Sequence, residues 1–203
     1  MRDVSEPEVR RLVREAVERV LAPTSGSQAP VSRSGAAAQP ASSPAALPGT
    51  PAAPHRVAIG SDHGGFALKE VLRRAIVEET NWDVHDCGTH SADAVDYPDF
   101  AAAVAREVAS GRCALGVVVD AAGIGSAMAA NKVPGARCAV CHDDATVLNS
   151  REHNDANILS LGARVVHRGT ATRMVKLFLS TPFAGGRHER RVQKIMALEQ
   201  RGR

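Results

Sequence analysis

From Arg56 onward, short apolar runs alternate with longer amphipathic stretches, and this alternation limits the possible folds more than any other feature. The strongest run is Leu115-Gly-Val-Val-Val119, in which no polar residue takes every second place. Such a strand is buried on both faces, as in parallel sheets covered by helices. Strands are expected at 57–60, 82–86, 114–119, 136–141 and 158–161. Between and after them, apolar residues recur at steps of three and four, the spacing of helices. Helices are expected over 65–79, 98–110, 125–131, 144–152, 170–179 and 187–200. Strand–helix alternation implies a parallel sheet with helices on both faces. Ligands of such sheets bind at the carboxyl ends of the strands.

Residues 1–55 follow another pattern. In residues 1–21 the apolar side chains are Val9, Leu12, Val13, Ala16, Val17, Val20 and Leu21, with Arg and Glu between them. That spacing predicts an amphipathic helix, with Ser5 as N-cap and Pro7 in the first turn. Residues 22–55 are Ala, Pro, Ser and Gly with almost no large apolar side chain, the composition of a disordered linker. A lone short helix cannot bury its own stripe and needs a partner surface. Helix plus tether resembles the encapsulation peptides that dock enzymes on the shell proteins of bacterial microcompartments. The other readings are a helix packed on its own domain or on an oligomer partner. Both charge signs on the polar face, without an aromatic anchor, argue against a membrane surface.

The net charge of +3 is too mild for a nucleic-acid partner. No signal peptide and no bilayer-spanning stretch is visible, so a cytoplasmic location is expected. The four cysteines, Cys87, Cys113, Cys138 and Cys141, are read as free thiols. Cys138 and Cys141 lack the further ligands that a zinc site needs, so no metal is expected.

The expected strand ends concentrate polar residues. Gly60-Ser-Asp62-His63-Gly64-Gly65 closes the first strand, and Asp62 there either caps the next helix or meets a ligand. Asp120-Ala-Ala-Gly123-Ile124-Gly125-Ser126 closes the third, and the N–H groups of such a turn suit a phosphate or an oxyanion. Asp120, straight after three valines, is a cap or a base; the base is the reading taken. Arg151-Glu-His153-Asn154-Asp155-Ala-Asn157 precedes the fifth strand and Arg164 follows it. Arg187 and Arg191, four apart, share a helix face and suit a phosphate. Together these groups describe a small phosphate-bearing substrate and isomerisation next to a carbonyl.

Motifs in order carry a resemblance. They are Asp62-His63-Gly-Gly-Phe66-x-Leu-Lys69, Gly88-Thr-His-Ser91, Val95-Asp-Tyr-Pro98, Gly123-Ile-Gly125, Ala129-Ala-Asn-Lys132, Arg151-Glu-His153-Asn154-Asp155-Ala-Asn157 and Gly185-Gly-Arg187-His188. The chain over residues 56–197 is similar to the ribose-5-phosphate isomerase B and galactose-6-phosphate isomerase family. The resemblance implies a Rossmann-like three-layer α/β/α sandwich with a five-stranded parallel sheet. It also implies a dimer or dimer of dimers with sites shared between subunits, and no metal or organic cofactor. The implied reaction opens a cyclic sugar phosphate and moves a proton between C1 and C2 through a cis-enediolate. On that resemblance His153 assists ring opening and Asp62 hydrogen-bonds the sugar. Gly123, Ile124, Gly125 and Asn154 hold the enediolate oxygen, and His63, Arg164, Arg187 and Arg191 are candidates for the phosphate. Many family members carry Cys-Gly-Thr-Gly where this chain has Asp120-Ala121-Ala122-Gly123, and their cysteine is the base. Another branch places a Glu where this chain has Ser126. The expectation is therefore a sugar-phosphate isomerase with Asp120 as base. Its alternative is a sugar-phosphate-binding protein that has changed substrate or lost the chemistry.

Overall fold

The structure, a computed structural model, describes residues 55–199. The expected helix over residues 1–21 lies outside them, as does the expected linker except for His55. Five strands form one parallel sheet: β1 Arg56–Ser61, β2 Asp83–Asp86, β3 Leu115–Asp120, β4 Cys138–Val140 and β5 Ile158–Gly162, in the order β2-β1-β3-β5-β4. Six helices connect and follow them: α1 Phe66–Glu79, α2 Tyr97–Ala109, α3 Ile124–Ala130, α4 Asp144–Glu152, α5 Arg168–Ser180 and α6 Glu189–Ala197. The chain reaches α6 through a 3-10 turn, Gly186–His188.

Alternation along the strands splits the core into two layers. Val57, Ile59, Val117, Val119, Leu159 and Leu161 meet Leu68, Leu72 and Ile76 of α1, and Met174, Val175 and Phe178 of α5. On the other face Ala58, Val118 and Ile158 meet Ala101, Val104, Ala105 and Val108 of α2, and Ala130 of α3. In each helix the buried positions are three or four apart, so one stripe faces the sheet. Every residue of β3 is buried, which is why its sequence does not alternate. The result is the expected three-layer sandwich.

Two local devices fix the strand ends. A Cβ on Gly65 would lie 2.2 Å from the Val119 carbonyl oxygen, so only glycine lets α1 start against β3. Lys69 is fully buried and gives both its short contacts, 2.7 Å each, to the carboxylate of Asp86 at the end of β2. A buried ammonium needs such a partner, and the pair pins α1 to the sheet edge. Strand β4 is shorter than the expected 136–141. The Arg137 backbone N–H donates to Asn157 Oδ1 at 2.7 Å, and its guanidinium reaches Asp155.

Candidate active site

The carboxyl ends of β1, β3 and β5 meet at one edge of the sheet. Asp62 is buried there, and its N–H donates to Val119 O at 3.3 Å. Its Oδ1 accepts the Gly65 N–H at 2.8 Å, so Asp62 does brace the turn into α1. His63 is exposed, with Nδ1 3.1 Å from Val95 O and 3.3 Å from Val95 N. Arg164 follows β5, and its N–H donates to Ala121 O at 3.0 Å. Its exposed side chain thus starts beside the turn that closes β3.

Asp120 is the last residue of β3 and is 5% exposed. Its Oδ1 accepts from the N–H groups of Ala122, at 2.8 Å, and Gly123; its Oδ2 accepts from Ser126 N at 2.9 Å. Burial pushes this carboxyl up. The Ser126 hydroxyl and the N–H groups of Ser126, Gly123 and Ala122 outweigh that and hold it below the usual carboxylate range. Gly123 has φ +81, and a Cβ on it would lie 3.0 Å from Gly162 N, so the turn requires glycine. The Gly123 N–H is committed to Asp120. Among the described residues, those of Ile124 and Gly125 have no partner.

A second polar group sits at the opposite edge. Helix α4 runs back from the carboxyl end of β4, so His153 and Asn154 lie where β5 begins. Helix α5 ends at the same edge, where Arg151 Nε donates to Thr181 O at 3.0 Å and Ala184 N to Glu152 O at 3.1 Å. These contacts bring the 3-10 turn to α4. The rings of His153 and His188 stack with centroids 4.2 Å apart and planes 3° from parallel. His153 Nδ1 lies 2.8 Å from Asn149 Nδ2, and Asn154 Nδ2 donates to Asn149 Oδ1 at 3.1 Å. Desolvation, then His153, Arg187 and Arg191, hold His188 below its ordinary pKa. Arg187 and Arg191 are both exposed and near this stack, but the 3-10 turn places Arg187 before the helix that carries Arg191.

One chain therefore does not bring all the expected residues together. Asp62, His63, Asp120, Gly123, Ile124, Gly125 and Arg164 share the carboxyl edge; His153, Asn154, Arg187 and Arg191 share the amino edge. The five residues of β5 set about 16 Å between the edges. Of two large concavities, one of about 950 Å³ beside Trp82 and Lys176 is lined by none of the expected site residues; the other, of about 540 Å³ between β4, Ile195 and Leu198, includes Asn154 in its lining and none of the others.

Three features were missed in the sequence. His188 closes the Gly185-Gly-Arg187-His188 motif, and nothing in its spacing shows that its ring stacks on His153. Tyr97 packs so close to Gly125 that a Cβ there would meet its ring at 2.7 Å. Ser160, on the buried strand β5, donates to Gly123 O at 2.5 Å. Its signal was a lone hydroxyl within Ile-Leu-Ser-Leu-Gly. Burial raises all four thiols, Cys87 up to about 12, so each is protonated at neutral pH.

Fold and site define a Rossmann-like α/β protein with charged and N–H-rich strand ends. The profile of one family, described as Ribose/Galactose Isomerase, matches residues 57–195. The chain belongs to this family. It is 41% identical over 146 residues to ribose-5-phosphate isomerase B of Escherichia coli K12, covering 72% of this chain and 97% of that one. The solved ribose-5-phosphate isomerase B of Clostridium thermocellum superposes with a TM-score of 0.70 at 47% identity, over 73% of this chain and 99% of that one. That of Mycoplasma genitalium, solved with bound ribulose-5-phosphate, gives 0.69 at 37% identity, over 71% and 96%. Among the described residues no helix is long and apolar enough to cross a membrane.

Proposed function

We propose that this protein interconverts ribose 5-phosphate and ribulose 5-phosphate through a cis-enediolate, with Asp120 as the base. The observation that carries the reading is the carboxyl edge: a buried ionised carboxylate beside Asp62, set in a glycine turn with two unpartnered N–H groups. After ring opening, assisted by His153, the Asp120 carboxylate takes the proton from C2. The C2–H electron pair forms the C1–C2 double bond, and the carbonyl π pair passes to O1. The N–H groups of Ile124 and Gly125 hold that oxygen. The O2 proton moves to O1, which becomes the C1 hydroxyl; the O2 electron pair forms the C2 carbonyl, and the C1–C2 π pair takes back the proton from Asp120 at C1. A carboxylate accepts at about four lone-pair positions; three N–H groups and the Ser126 hydroxyl use them, so in this reading the Ser126 hydroxyl turns away to free the position that takes the carbon-bound proton. Asp62 binds sugar hydroxyls. His63, Arg164, Arg187 and Arg191 receive the phosphate, and Asn154 supports the enediolate.

The two edges are completed by a second copy, whose amino edge faces the first copy's carboxyl edge in a dimer or dimer of dimers. Residues 1–21 dock on a microcompartment shell protein through the tether 22–55, which places domain 56–203 in the lumen of that compartment. Neither a metal nor an organic cofactor enters this reaction scheme.

A specific observation favours a second reading. Asp120 is bound by three N–H groups and Ala122 offers no hydroxyl, so sugar-phosphate binding without isomerisation is the competing function. Turnover of ribose 5-phosphate by the purified protein, beside Asp120→Asn, separates them. Turnover by wild type and not by the variant supports the isomerase. Thermal stabilisation by ribose 5-phosphate without turnover supports the binder.

A further inference from the structure

Ser160 is fully buried in β5, and its hydroxyl donates to the carbonyl of Gly123. That carbonyl and the Ile124 N–H belong to one planar peptide unit. The unit is trans, since the cis bond among the described residues is Gly88–Thr89. In a trans unit C=O and N–H point in opposite directions. Holding the carbonyl toward β5 therefore aims the Ile124 N–H away from it. The preceding peptide plane is held by Asp120 through the Gly123 N–H. With both planes fixed, Gly123 is locked at φ +81. A hydrogen bond to a carbonyl also polarises its amide and strengthens the N–H as a donor.

The bland account is that a buried hydroxyl needs some acceptor and took the nearest. It explains the bond but assigns the bond no effect on turnover. We infer that Ser160 is a positioning residue, which acts through the Gly123–Ile124 peptide to aim the Ile124 N–H at the oxygen that gains charge during isomerisation. The inference rests on the isomerase reading above.

The test compares wild type with Ser160→Ala and Ser160→Cys. Each is assayed for kcat and KM with ribose 5-phosphate. Each is also titrated with two probes: a planar hydroxamate shaped like the enediolate, and the pentitol phosphate, which has no carbonyl. Removing an oxyanion donor outright costs roughly 10²–10³ in kcat, so mis-aiming one is expected to cost on the order of tenfold. Ser160→Ala should lose that factor in kcat with KM nearly unchanged. It should lose the same factor in hydroxamate affinity and none for the pentitol phosphate. Ser160→Cys, a weaker donor, should fall between. Unchanged kcat with a lower melting temperature overturns the inference, as do equal losses for both probes. If wild type shows no turnover, the isomerase reading fails, and the hydroxamate alone judges Ser160. Selective weakening in Ser160→Ala then retains the aiming role; equal binding, or no binding by wild type, overturns it.

Discussion

In the proposed reaction, Asp120 acts where the resemblance puts a cysteine in many family members. A thiol there must lose its proton to act as a base, and free thiols do so near pH 8.5. The Asp120 carboxyl lies below its ordinary value of 3.8, so it is ionised throughout the neutral range. As a base it is active when deprotonated. The acid limb of kcat/KM is therefore expected below about pH 4, with a plateau above, when the rate is followed in buffers of constant ionic strength. A limb centred near pH 8 would transfer the base role to another group. The same sign governs stability: a depressed folded pKa stabilises the fold above the unfolded pKa, and that stabilisation is lost as pH falls through the folded one. Asp120→Asn places an NH₂ against N–H donors. It should reduce kcat by about 10²–10⁴ and lower unfolding free energy by about 1–3 kcal/mol, read by urea denaturation. Composition and spacing marked Asp120 as unusual. They did not show its three N–H partners, because those depend on how the turn closes back on the carboxylate.

At the scale of elements, the sheet was the most legible part. β3 was readable from its unbroken apolar run, and α1, α2 and α5 from their stripes. The last helix was less so: Gly185 and Gly186 take φ +64 and +56, and the chain enters α6 through a 3-10 turn that the 187–200 periodicity hid. β4 was over-extended because Arg137 reads as neutral to strand formation, while its side chain is drawn to Asp155. Helix α5 carries much of the first core layer. Its Phe178 is fully buried, and the Arg151 guanidinium lies 5.4 Å from the ring centroid. Phe178→Ala should cost about 3–5 kcal/mol through lost burial and an incompletely collapsed cavity. The measurement is the urea midpoint at one fixed protein concentration, with the slope unchanged. A loss under 1 kcal/mol would mean the layer repacks around the gap.

For the molecule as a whole, the separation of the two polar edges decides what one chain can do alone. The elements that make it were legible, yet the separation was not, since it appears only when each helix is given its direction across the sheet. A shared site makes a sharp prediction for mixed assemblies. Asp120→Asn and His153→Ala, each expected to be strongly impaired alone, are unfolded together in equal amounts and refolded as a mixture. In a twofold assembly half the dimers are mixed, and one of their two sites is intact, so about a quarter of wild-type activity should return. No recovery would place both groups in one chain's site. In the proposed assembly, concentration also takes on a chemical role. If the sites are shared as proposed, subunits that separate on dilution lose them by mass action, without any unfolding. Turnover per chain then rises with local density, and crowding copies into a small volume acts as a switch that needs no effector.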